Sequence, residues 1–425
     1  MNILRALCLA MIISITACFS PVIVTQTPGL PVLSIDIGSV TYPTNDPTFV
    51  KNGPAFKIIP DSELVDSSAA IGFNLQTFIQ SRNGFLNSYS EVVDGLPMSA
   101  VDIIDHISRE YSVNPRILLA LIESQSHWIS QERVEVSTDY PLGLVDTSRK
   151  GLYRQLSWAA NILNRGYYLK RINALNQLTL PDGQVIQIAP SINPGTAAVQ
   201  YFYSWLYNYH DWQLAVSALG VYSTFLTFFG DPAVLELSAF LPDNLTQPFL
   251  QLPFEKGEVW SFTSGPHSAW GDGAAWAALD FAPPGDHYGC NQSDAWIVAS
   301  ADGLVVRSEN GMVVQDLDGD GYEQTGWTIL YQHVATRDRV PYGTMLHAGE
   351  RIGHPSCEGG PSSGTHLHIA RRYNGEWIPA DQSLPFNLDG WISQGKGKEY
   401  DGTLIRNGVI IEAIGYYSTK NQILR

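Results

Sequence analysis

Gly364-Thr365-His366-Leu367-His368-Ile369 is the stretch on which the reading of this chain turns. On a strand, successive side chains point to opposite faces, so His366 and His368 share one side while Leu367 and Ile369 take the other. Two imidazoles placed in this way can share a metal or the water beside it. Strand-forming runs surround the motif: Ile297-Val298-Ala299, Leu304-Val305-Val306, Met312-Val313-Val314, Trp327 to His333 and Thr365 to Arg371, separated by Gly and Asp turns. Seven of the ten histidines follow residue 254, namely His267, His287, His333, His347, His354, His366 and His368.

Upstream the period changes. Val101, Ile104 and Ile107 recur at helical spacing behind Ser99, a cap residue, and Pro115 opens the helix-forming run Arg116 to Glu123. Residues 61–245 therefore predict an all-α domain. The uncharged run Leu214 to Phe229, closed by Gly230-Asp231-Pro232, predicts one buried core helix, being too short to span a membrane. A Pro-rich segment from Leu241 to Pro253 separates this region from an antiparallel β-rich domain over 254–395, with 396–425 as a C-terminal β extension. The expected class is α+β multidomain. Residues 19–60, punctuated by seven prolines from Pro21 to Pro60, predict an extended tether.

The length of 425 residues suits two or three domains, and 44% hydrophobic against 16% charged residues excludes global disorder. A net charge of −16 without a basic run leaves no surface for a phosphate backbone, so no nucleic-acid partner is expected. Met1 to Arg5 followed by apolar Ala6 to Ala17 reads as an export signal. Its end, Ile15-Thr16-Ala17-Cys18, resembles the lipobox of bacterial lipoproteins, which implies a lipid on Cys18, anchoring to a membrane and a location facing the cell wall. Loss of Cys8 with the signal would leave Cys290 and Cys357, which read either as a disulfide of an oxidising compartment or as two free thiols.

Gly364-Thr365-His366-Leu367-His368, with Gly353-His354-Pro355 and Leu330-Tyr331-Gln332-His333 upstream, resembles the M23 peptidases, the lysostaphin and LytM-type zinc endopeptidases of bacterial cell walls, over about Val259 to Pro379. The resemblance implies His368 and Asp280, in Leu279-Asp280-Phe281, as zinc ligands, and His333 and His366 as catalytic histidines. Most members carry a His four residues before the Asp, and here that position is Trp276. His267 lies thirteen residues before Asp280, a spacing similar to the β-lytic branch, and is the expected first ligand. Three protein ligands with one open position are the arrangement of a catalytic zinc. The resemblance therefore implies hydrolysis of peptidoglycan peptide bonds by zinc-activated water with two histidines assisting; the alternative is a weak or inactive wall-binding scaffold or regulator of other hydrolases. His287, His347 and His354 read as surface or packing residues.

Asp316-Leu317-Asp318-Gly319-Asp320-Gly321 begins like a calcium loop, but Trp327 stands at the twelfth position, where an EF-hand needs Glu. Calcium on Asp316, Asp318 and Asp320 is one reading and a solvated hairpin tip the other. In the helical region, Tyr111 to Ser126, Pro141-Leu142-Gly143-Leu144 and Asn161-Ile162-Leu163 look like the lysozyme-like lytic transglycosylases. That resemblance places Gln125, not Glu123, at the acid's position. An amide cannot protonate a glycosidic oxygen, so an inactive domain that grips glycan is expected. Trp128, Tyr140, Trp158, Tyr167 and Tyr168 read either as sugar-stacking rings or as core.

Overall fold

The computed structural model describes residues 53–134, 137–237, 240–285 and 289–425. The export signal, Cys18, most of the tether and His287 lie outside these residues. Residues that the tether was expected to include are part of the fold: Ile58 and Ile59 are buried, and both amides reach Thr196 Oγ1. Residues 58 and 59 therefore belong to the packed fold and not to an extended segment.

The helical half runs through α1 (Asp61–Leu64), α2 (Leu75–Gln80), the hairpin β1 (Ser90–Val93) and β2 (Leu96–Ser99), α3 (Ala100–Tyr111), α4 (Pro115–Ser126) and α5 (Leu152–Arg171). It continues with the hairpin β3 (Gln177–Thr179) and β4 (Val185–Gln187), then α6 (Pro194–Tyr203), α7 (Tyr209–Ala215) and α8 (Val221–Phe229). Ser99 caps α3 as expected, in a reciprocal box with Asp102. Asn114 and Pro115 start α4, whose residues Ile117 to Glu123 are all buried.

Two expectations are corrected here. The region is not all-α, because Asp94-Gly95 adopts the two positive φ values of a tight turn and folds Ser90 to Ser99 into a hairpin, and a second hairpin follows α5. The apolar run Leu214 to Phe229 is not one buried helix. It breaks between α7 and α8 where Gly220 turns so tightly that a Cβ would meet the Ala215 carbonyl oxygen at 2.0 Å. Leu214 and Leu219 are exposed as a result.

The C-terminal half is built on β5 (Val259–His267), β6 (Ala278–Ala282), β7 (Ile297–Val298), β8 (Gly303–Glu309), β9 (Met312–Asp316), β10 (Trp327–Gln332), β11 (Met345–Leu346), β12 (Arg351–Gly353), β13 (Leu367–Tyr373) and β14 (Glu376–Trp377). A small sheet follows, β15 (Asn387–Leu388), β16 (Trp391–Gly395), β17 (Gly402–Arg406) and β18 (Val409–Glu412), and then β19 (Gln422–Leu424). The large sheet has the order β11-β8-β9-β10-β13-β6-β5-β19, with β14 on β13, and its pairs are antiparallel. The boundary expected at 395/396 falls inside the β16–β17 pair, and β19 closes the edge of the large sheet, so the C-terminal residues are integral rather than an extension.

Alternation along the central strands gives the large sheet two apolar faces. Leu279, Phe281, Val313, Ile329, Tyr331, Leu367 and Ile369 belong to a core within the β half. Ala278, Met312, Val314, Leu330 and Ala370, on the opposite face, belong to the same core as the helices. The face with the helices beyond it is the one that also carries Asp280 and His368.

Candidate metal centre

Register places the site. His368 on β13 pairs directly with Asp280 on β6 and with Gln332 on β10, and directly opposed residues of an antiparallel pair project to the same side. Irregularities in the β5–β6 pairing between Phe262 and His267 bring His267 alongside. His333 follows β10 with φ 65°, a left-handed turn that a residue with a Cβ adopts at a cost, and its ring lies 4.4 Å from that of His366. The five expected residues, His267, Asp280, His333, His366 and His368, are thus brought together.

Each imidazole is oriented by a main-chain carbonyl, which can only accept, so the contacting ring nitrogen carries the proton. His267 Nδ1 donates to Gly265 (2.8 Å), His333 Nδ1 to Glu358 (2.8 Å), His366 Nδ1 to Gly364 (2.8 Å) and His368 Nε2 to Ala269 (3.1 Å). The other nitrogen of each ring is left as a lone pair. His267 Nε2 and His368 Nδ1 stand 3.0 Å apart, and each lies 3.2 Å from Asp280 Oδ1. That oxygen is buried and accepts no hydrogen bond.

Three buried acceptors facing one another without a proton between them would repel, whereas a cation among them would satisfy all three. The chemistry of the donor set therefore fits a metal ion held by His267, Asp280 and His368, whose ligand atoms lie within 4.8 Å of one another. Burial alone would raise the Asp280 pKa, but the imidazoles of His267 and His366 beside it hold the carboxyl well below the usual range. Burial pulls His267 down, yet Asp280 outweighs it and the net shift is upward. Burial, reinforced by His366 and His368, pushes His333 down to about 3, so it is a neutral acceptor at neutral pH.

Some participants gave no signal in the sequence. The ring of Tyr400, from the β16–β17 turn, stacks on His267 at 4.8 Å, and its backbone is left-handed at φ 71°. Glu399 accepts from the Ser268 amide beside it. Both lie in the segment read as a separate extension.

The other expected residues are placed as follows. Cys290 and Cys357 form a disulfide with Cα atoms 5.6 Å apart. Asp316, Asp318 and Asp320 converge within 4.8 Å, and they accept from the loop's own amides at Asp318, Asp320, Gly321 and Tyr322, as a turn-forming hairpin tip does. His354 is buried against Trp296 and the Ala295 carbonyl, and His347 is exposed, so neither joins the site. Glu123 is buried and accepts from the amides of Ile129 and Ser130. Gln125 Oε1 accepts from Tyr207. Trp128, Trp158, Tyr167 and Tyr168 are core rings and unavailable for stacking on sugars; Tyr140 alone of the five is partly exposed.

The site gathers a donor set that could hold a metal ion, on a sheet backed by the helices. Residues 57–241 match the family described as LasA, N-terminal domain. Protease LasA of Pseudomonas aeruginosa is 26% identical over 358 residues, 76% of this chain and 79% of that protein. The beta-lytic metalloendopeptidase of Lysobacter enzymogenes is 26% identical over 174 residues, 40% of this chain and 89% of that protein. Among solved structures, the M23 metalloprotease pseudoalterin from the deep sea matches with TM-score 0.33 and 23% identity over 40% of this chain and 96% of its own. These likenesses support a metalloendopeptidase similar to the M23 peptidases.

Proposed function

We propose that this chain is a zinc-dependent endopeptidase, exported and lipid-anchored, that cuts peptide bonds in peptidoglycan. The observation that carries the zinc reading is the convergence of His267 Nε2, Asp280 Oδ1 and His368 Nδ1 as three proton-free acceptors. Zinc bound there would supply a Lewis acid that lowers the pKa of water and polarises a carbonyl. His333 and His366 present their Nε2 lone pairs beside it. One accepts the proton of the attacking water and, once protonated, delivers it to the leaving amine, while the other orients water or carbonyl. The export and anchoring reading rests on Met1 to Cys18, and the wall-peptide reading on the resemblance of Gly364 to His368 and of the His267–Asp280 spacing to the M23 peptidases of bacterial cell walls.

The test is zinc content and hydrolysis of purified peptidoglycan by the chain, with His267→Ala and His368→Ala beside it. About one zinc per chain, lost in both variants together with peptide cleavage, is expected. A parent that binds no zinc after reconstitution would replace the enzyme with the scaffold reading.

We further read the helical half as a lysozyme-like unit without glycosidase activity. Glu123 is tied to two backbone amides as a structural acceptor, and Gln125 offers no acid. The parent is expected to release no reducing ends from purified glycan strands; release would overturn this.

A further inference from the structure

We propose that Asn161, on α5 in the helical half, is a positioning residue for the metal centre, acting through the loop that orients His368. The inference rests on the zinc reading above. Residues 268–277 join the first two ligands, His267 and Asp280. At its base the loop closes on itself, with the Ala269 amide donating to Ala275 (3.0 Å). Its buried alanines Ala269, Ala274, Ala275 and Ala277 sit in the core of the helical half, not in the core within the β half.

Arg165 Nη1 donates to the Asp272 carbonyl at 3.5 Å and Tyr111 meets Trp270 edge-on, but most of the hydrogen bonds to the tip come from Asn161. Asn161 Oδ1 accepts from the amides of Asp272 (3.1 Å) and Gly273 (2.9 Å), and its Nδ2 donates to Asp272 Oδ1. The approach is so close that a Cβ on Gly273 would lie 2.0 Å from the Asn161 carbonyl oxygen. At the other end of this short loop, the Ala269 carbonyl accepts from His368 Nε2. That bond leaves His368 Nδ1 free of its proton and aimed at Asp280, which is the usual task of an outer partner of a metal-bound histidine. Asn161 is itself only half-buried, so its contribution is directional rather than a matter of filling space.

The experiment uses the full-length chain and reads the metal directly. Cobalt(II) is titrated in competition with a chromophoric chelator, and its visible ligand-field spectrum is recorded for the parent, Asn161→Ala, Asn161→Asp and the exchanged pair Asn161→Asp with Asp272→Asn. Removing an outer partner of a metal ligand costs about 10- to 100-fold in affinity. About a tenfold loss with an altered spectrum is expected for Asn161→Ala and for Asn161→Asp, the latter through repulsion by Asp272. The exchanged pair, which swaps donor and acceptor between the two side chains, is expected to restore affinity and spectrum. Parent-like binding and spectra in both single variants would overturn the proposal, as would a pair that fails to recover. A parent that binds no cobalt would overturn the metal reading itself, an outcome distinct from either.

Discussion

Four imidazoles in one site could adopt many protonation patterns, and here a backbone carbonyl selects one for each. The consequence is a division of labour that substitutions can separate. His267→Ala and His368→Ala are expected to lose the metal. His333→Ala and His366→Ala are expected to retain it while kcat falls about 10²- to 10⁴-fold, the usual contribution of a general acid or base. Metal content and kcat measured on the same preparations check this, and a His333→Ala enzyme with parental kcat would remove that residue from the reaction. The convergence of the candidate ligand side chains was legible in the sequence because a strand's period fixes which residues share a face, and because the likeness supplied Asp280 and His267. The carbonyls of Gly265, Ala269, Glu358 and Gly364 were not, since any residue provides one. Nor was the role of Asn161, whose contact with Asp272 spans 111 residues and leaves no local pattern.

At the scale of elements, the disulfide ties together the segments that orient His333 and His366, and the β14 turn ties the sheet to α5. Cys357 precedes Glu358, whose carbonyl holds His333, and Cys290 follows Gly289, which bridges to Gly364 beside His366. Closing a separation of 67 residues restricts the unfolded chain by about 4 kcal/mol in the loop-entropy account. The double replacement Cys290→Ser, Cys357→Ser is expected to lower stability by that order and to reduce kcat, with metal content unchanged because no ligand hangs on it. Urea unfolding and elemental analysis test both halves of that statement.

Glu376 on β14 accepts from Tyr167 (2.8 Å) and pairs with Arg171 (2.9 Å), both on α5. Burial raises its pKa from 4.5 to about 7, against the pull of Arg171. The folded chain therefore holds a proton that the unfolded chain releases above pH 4.5. This contribution is full below 4.5 and is lost as pH rises through about 7, a change of about 3 kcal/mol. Glu376→Gln is expected to flatten the stability profile between pH 5 and pH 8 relative to the parent. An unchanged slope in urea titrations at the two pH values would contradict it. Glu63 and Asp66, also raised to about 7 by burial, keep some slope in the variant. The hairpins beside these helices show why the sequence misled there: Asp94-Gly95 is a strong turn signal, but the strands it joins are four residues each and too brief for their alternation to stand out.

For the whole molecule, the sheet is a wall shared by two cores. Melting the helices would bare Met312, Val314 and Leu330, and melting the sheet would bare the alanines of the 268–277 loop. A single cooperative thermal transition is therefore expected, with near-ultraviolet and far-ultraviolet signals coinciding; two separated transitions would show that the halves fold independently. Composition suggested two domains in series because it records where apolar residues lie along the chain, not which of them end up against each other. The shared wall also bears on how such a gene can change. A descendant reduced to the β half alone would carry an oily side open to water. Before that descendant could remain soluble, the positions of Met312, Val314 and Leu330 would have to turn polar, so ancestry in a longer chain or freedom from one should be readable from those three codons.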